Sequence, residues 1–117
     1  MKGLSTSKVS TEDYIRELKL LAHHIQETHG EALKSLQHPV LLLVELPNAQ
    51  SVAFLISSEG IVYKEKPPAV ENRITVGYRD LLRLVEKPSK IVRYVLEGRL
   101  RISGDYKQVI SSIQRLF

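Results

Sequence analysis

The chain has 117 residues, of which 43% are hydrophobic and 26% charged, a balance that fits one globular domain and excludes wholesale disorder. With 0 Cys it has no disulfide framework, thiolate metal site or cysteine nucleophile, and a cytoplasmic protein is expected. The net charge of +4 is uneven: residues 1–72 carry 7 Lys/Arg against 9 Asp/Glu, and residues 73–117 carry 10 against 4.

Residues 1–9 are polar, with nothing to bury, and read as a flexible tail before a single domain over 10–117. Ser10 is placed to cap a helix, with Asp13 as its reciprocal partner. Tyr14, Leu18, Leu21, Ala22 and Ile25 then recur at spacings of 3 and 4, one apolar stripe on a helix that Gly30 is expected to end. Residues 31–37 form a short amphipathic turn, and Pro39 forbids more helix.

Beyond Pro39 the pattern becomes extended. Residues 40–46 are apolar at nearly every position, which predicts a strand covered on both faces. Residues 47–50 turn the chain into a second strand over 51–57, with Val52, Phe54 and Ile56 on one face and Ala53 and Leu55 on the other. Gly60 turns it again into residues 61–64, completing an antiparallel meander. Pro67 and Pro68 mark a surface loop. A fourth strand follows at 73–76, then a helix at 78–85 with Leu81, Leu82, Leu84 and Val85 apolar. Pro88 stops that helix, and Ser89 is placed to cap another whose apolar positions include Ile91 and Val95. Residues 99–103 alternate as a half-buried strand, and Asp105 with Gln108 suggests a capping box for a last helix.

Chemistry-bearing patterns are scarce. His23 and His24 are adjacent and point in different directions, His29 lies outside helical ligand spacing, and no metal site is expected. Ser5 and Lys8 have a serine–lysine spacing but stand in the tail. No phosphate-binding glycine loop or nucleophile elbow occurs, so no catalytic residue and no cofactor are expected, and the chain is read as not an enzyme. The basic C-terminal half can attract nucleic acid, an anionic membrane or an acidic protein. With 6% aromatics and 0 Trp there are few stacking platforms, so no stable nucleic-acid partner is expected.

The stretch from Ile74 onward holds I-T-V-G-Y-R-D-L-L-R-L, then Pro88, then V-L-E-G-R-L-R-I-S-G-D and an amphipathic helix. It resembles the sterol carrier protein type two family of small lipid-carrier domains. Asp80-Leu81-Leu82 matches one family segment and Gly98 to Asp105 another, and the upstream E-A-L-K-S-L and V-L-L-L-V-E-L pieces look like the family's opening. The segment around Pro88 is shorter than the Gly-containing one usual in the family. The chain ends at Phe117 without the Ser-Lys-Leu tail of some eukaryotic relatives, so peroxisomal delivery is not expected.

Pattern and resemblance lead to the same α+β fold, an antiparallel sheet of about five strands covered on one face by helices. By themselves the apolar residues simply fill a core. The resemblance implies instead an apolar tunnel for a lipid-like ligand: a fatty acid, an acyl-CoA or another apolar molecule. The expected walls are Phe54, Ile56, Leu100 and Ile102 on strands, Val76, Leu81, Leu84 and Val85 in the middle segment, and Ile110, Ile113 and Phe117 on the final helix. The alternatives are an accessory module of a lipid-metabolising enzyme without its own ligand, and a nucleic-acid-binding domain using the basic half. Transient contact with an anionic membrane or an acidic protein is compatible with the first reading.

Overall fold

The apolar stripe that begins at Tyr14 folds as helix α1, Thr11–Thr28, in the computed structural model, which describes residues 9–116. The expected tail, apart from an exposed Val9, and the expected wall residue Phe117 lie outside the described residues. Ser10 Oγ accepts the Asp13 N–H and the Asp13 carboxylate accepts the Ser10 N–H, both at 3.2 Å, which closes the capping box. Hydrogen bonds from Ser10, assisted by Arg16, hold the Asp13 carboxyl below its ordinary range. The helix buries Leu18, Ala22 and Ile25. Its break falls at His29, and Gly30 opens the next helix, α2, Gly30–Lys34, instead of ending the first.

Strands β1 (Val40–Glu45), β2 (Ser51–Ser57) and β3 (Gly60–Lys64) form the expected antiparallel meander. β4 (Arg73–Gly77) and β5 (Leu100–Ser103) complete a sheet of order β3-β2-β1-β4-β5. The pairing of β4 with β5 is antiparallel, whereas β1 and β4 run parallel, with Leu42 opposite Ile74 and Val44 opposite Val76. The sheet is therefore mixed, and the reason lies in the linker. The chain leaves β3 at one edge and re-enters three places away, in the direction of β3 itself. Such crossovers usually take a dozen residues and a helix. Residues 65–72 manage without one: fully extended they reach about 26 Å, while three strand spacings of about 14 Å and a return along a strand of about 16 Å make a diagonal of about 21 Å. Pro67 and Pro68 favour that extended path.

Alternation assigns the two sheet faces. Phe54 stands opposite Leu42 and Tyr63, Ile56 opposite Val40 and Ile61, and Val76 opposite Val44 and Leu100. These side chains join the main core together with residues of all five helices. Leu41 and Ala53 are buried on the other face, outside that core, and Val62 there is exposed.

Helix α3, Tyr78–Glu86, is followed by a 3-10 turn at Pro88–Lys90 and by α4, Ile91–Leu96. Ser89, expected to cap α4, lies inside that turn and caps nothing, since Lys90 occupies the cap position. The last helix is α5, Tyr106–Leu116. Among the described residues Asn72 is the buried polar side chain, 6% exposed. Its Oδ1 accepts the Asp105 N–H and its Nδ2 donates to Gln108 Oε1, both at 2.9 Å. The capping box expected of Asp105 and Gln108 is thus half made. Asp105 accepts the Gln108 N–H at 3.2 Å, but the reciprocal bond is supplied by Asn72 from the crossover. Gly104 turns this corner with φ 99°, and a Cβ there would lie 2.5 Å from Asn72 Oδ1.

Phe54 is 2% exposed, so Phe54→Asp should destabilise by several kcal/mol, about 3 or more, or prevent folding. Asn72→Ala removes two hydrogen bonds and should cost about 1–3 kcal/mol. Gly104→Ala forces an unfavourable backbone against Asn72 and should cost at least about 1 kcal/mol. Urea unfolding measures all three, and near-wild-type stability in Phe54→Asp would contradict the burial described.

Candidate functional site

Where α1, α3 and α5 meet the sheet, the packing of the described residues leaves two small gaps. The first, about 30 Å³, is walled by Leu18, Leu21, Ala22 and Ile25 of α1, by Leu42, Phe54, Ile56 and Ile61 of the sheet, and by Leu81 and Leu116. The second, about 20 Å³, is walled by Val40, Leu42, Ile56, Ile74, Val76 and Leu100 from strands, Leu81 and Leu84 from α3, and Ser112, Ile113 and Leu116 from α5. Leu42, Ile56, Leu81 and Leu116 line both, so these four side chains form the partition between them.

The walls are almost entirely carbon. Ser112 is the polar exception, and its hydroxyl donates to the Gln108 carbonyl at 2.9 Å. A water in either gap would lack the two to four polar partners it needs, so both spaces are dry by their chemistry. Small-molecule pockets run to roughly 300–1,000 Å³. In this conformation the layer between sheet and helices is a close-packed core with two gaps in it.

The gaps gather most of the expected wall residues. Phe54, Ile56 and Leu81 border the first, and Ile56, Val76, Leu81, Leu84, Leu100 and Ile113 the second. Ile102 and Ile110 are half-buried against the same core but border neither gap. Val85 is half-buried and also borders neither. The α1 stripe is visible in the sequence, but its spacing marks core and not walls, and Leu42, Ile61 and Leu116 carry no mark that sets them apart as walls.

The polar surroundings are superficial. A cleft of about 420 Å³ beside His38, Glu71, Asn72 and Asp105 is open to solvent. His23 pairs with Glu27 on the exposed side of α1. Among the described residues no group of three or more His, Asp or Glu is gathered as a metal site. At the start of α3, Tyr78 meets Tyr14 edge-on at 4.9 Å, and burial, followed by the negative charge of Glu17, pushes its phenol up.

Leu81 touches both gaps, which makes it the sharpest probe of the partition. Leu81→Ala should cost about 2–5 kcal/mol and fuse the gaps into one apolar space able to take up xenon or benzene. Urea unfolding and xenon-induced NMR shifts test this; shifts confined to residues on one side of the partition would show that the gaps stay separate.

No family model matches the chain, and no curated protein matches it. Solved structures do. The apo form of sterol carrier protein 2 from Yarrowia lipolytica superposes with a TM-score of 0.69 at 13% identity, covering 97% of this chain and 95% of that one. Palmitated SCP2L2 from Aedes aegypti gives 0.63 at 13%, covering 92% and 95%. The sterol carrier protein domain 2 of Helicoverpa armigera gives 0.61 at 19%, covering 93% and 92%. At such low identity it is the architecture that is shared, and across nearly the whole chain: the protein has the sterol carrier protein 2 fold.

Proposed function

We propose that the chain is a non-catalytic carrier domain, cytoplasmic and formed by residues 10–117, for a lipid-like ligand such as a fatty acid or an acyl-CoA. The observation that carries this reading is the pair of carbon-walled gaps separated by the Leu42–Ile56–Leu81–Leu116 partition. The palmitated neighbour of the same fold supports it. Uptake proceeds by an outward shift of the helices and a change of rotamer at the partition, which joins the gaps. Each methylene of an acyl chain that enters gains about 0.8 kcal/mol by leaving water, which offsets the side-chain packing that opening disrupts. The walls offer hydrocarbon and one hydroxyl already bonded to a carbonyl, which suits holding a ligand better than transforming it.

Displacement of a fluorescent fatty acid, run beside a thermal melt, tests this. Saturable binding and a rise in Tm with ligand are expected. Ile113, 2% exposed, borders the second gap. Ile113→Trp should take up ligand space and weaken binding at least about tenfold, at an overpacking cost of about 1–3 kcal/mol. No saturable binding of fatty acids, acyl-CoAs or sterols would end the carrier reading and leave an accessory module in its place.

A further inference from the structure

Helices α3 and α4 each press one side into the core, through Leu81 and Leu84 and through Ile91 and Tyr94. Their outer sides lack the uniformly polar character usual for such helices. Leu82 is 37% exposed, Val92 51% and Leu96 82%. Val92 and Leu96 are four residues apart and stand one above the other on the same helix side. Single exposed aliphatics are ordinary, but here they share a short segment with six cations, Arg79, Arg83, Lys87, Lys90, Arg93 and Arg99.

Three acidic residues accompany them, Asp80, Glu86 and Glu97. Two of these are engaged by arginines. Arg83 and Arg99 approach Asp80 at 3.8 and 3.9 Å, and Arg93 and Arg99 approach Glu97 at 3.1 and 3.4 Å. Arg79, Lys87 and Lys90 enter no ion pair among the described residues, nor does Glu86, so the segment from 79 to 99 keeps a net positive charge.

We propose that the outer side of α3 and α4 docks on an anionic lipid surface. Val92 and Leu96 enter the boundary between headgroups and acyl chains, while Arg79, Lys87 and Lys90 meet lipid phosphates. The composition favours a bilayer over a protein. Protein hot spots are built from aromatic and arginine anchors seated in packed pockets, whereas the aromatics of α3 and α4 are taken up by the core: Tyr94 is 3% exposed, and Tyr78 is half-buried against Tyr14. Protruding aliphatics among flexible cations need a fluid, negatively charged partner and no matching shape. Docking also sets the bilayer against the helix whose Leu81 borders both gaps. Vesicle binding needs no opened gap, so this proposal and the carrier reading fail independently.

Co-sedimentation with phosphatidylcholine vesicles, alone or enriched in phosphatidylglycerol, tests the proposal. Binding to the anionic vesicles alone, weakened by salt, is expected. Leu96→Asp should weaken it at least about tenfold, and Lys87→Gln with Lys90→Gln about 10–30-fold, both with unchanged thermal melts because the side chains are outside the core. Leu20→Asp, on α1 and 60% exposed, should leave vesicle binding as it was. Absence of binding to anionic vesicles overturns the proposal, as does an equal loss in Leu20→Asp. Retention on polyglutamate beads without vesicle binding overturns it in favour of an acidic protein. A dimer that Leu96→Asp dissolves in sedimentation velocity overturns it in favour of a second copy.

Discussion

One face of a five-stranded sheet holds nearly all the apolar surface that the fold must remove from water, and every helix is committed to covering it. Val44, Leu84 and Val109 have no measurable exposure, and they come from the central strand, the middle helix and the last helix. Strand β1 carries this arrangement, being paired antiparallel on one side and parallel on the other, so its register is pinned twice. The sheet is the rigid partner of the two layers. Rearrangement that enlarges the space between them has to come from the helices, which are held to it by side-chain packing and not by a ladder of hydrogen bonds.

Local chemistry was legible where the decisive partners are close in sequence. The Ser10–Asp13 cap is written in four residues, and β2 is marked by its unbroken apolar run from Val52 to Ile56, buried on both faces as far as Phe54. Pairing across long separations was not. Nothing in Val40–Glu45 or Arg73–Gly77 says that these strands run parallel, because the period of two is the same in either orientation. Ser89 had the right chemistry for a cap and the wrong geometry, since Pro88 opens a 3-10 turn in which Ser89 is an interior residue. Asn72 carried no signal at all: an asparagine in a loop reads as a turn residue until β5 and α5 are brought against it.

The candidate site divides in the same way. Leu81, Leu84 and Ile113 stood out because helical spacing marks inward-facing residues. Inward-facing and gap-lining are different properties, however. Ile102 and Ile110 face the core and border no gap, and Leu42 borders both. Which inward residues fail to touch one another depends on how rotamers from several elements interdigitate, and no single segment contains that information.

Asn72 gives α5 two unequal ends. Its side chain is bonded to the backbone of Asp105 and the amide of Gln108, and its own carbonyl accepts the Leu41 N–H at 2.9 Å. The first turn of the helix is thereby bolted to the central strand through the crossover. The turn that presents Leu116 to both gaps lies most of the helix length away, at about 1.5 Å per residue. A rod pinned at one end moves most at the other. A ligand that lifts the helix would turn it about Asp105 and would have to break, at the far end, the 3.4 Å bond from Arg115 to Ser35 Oγ.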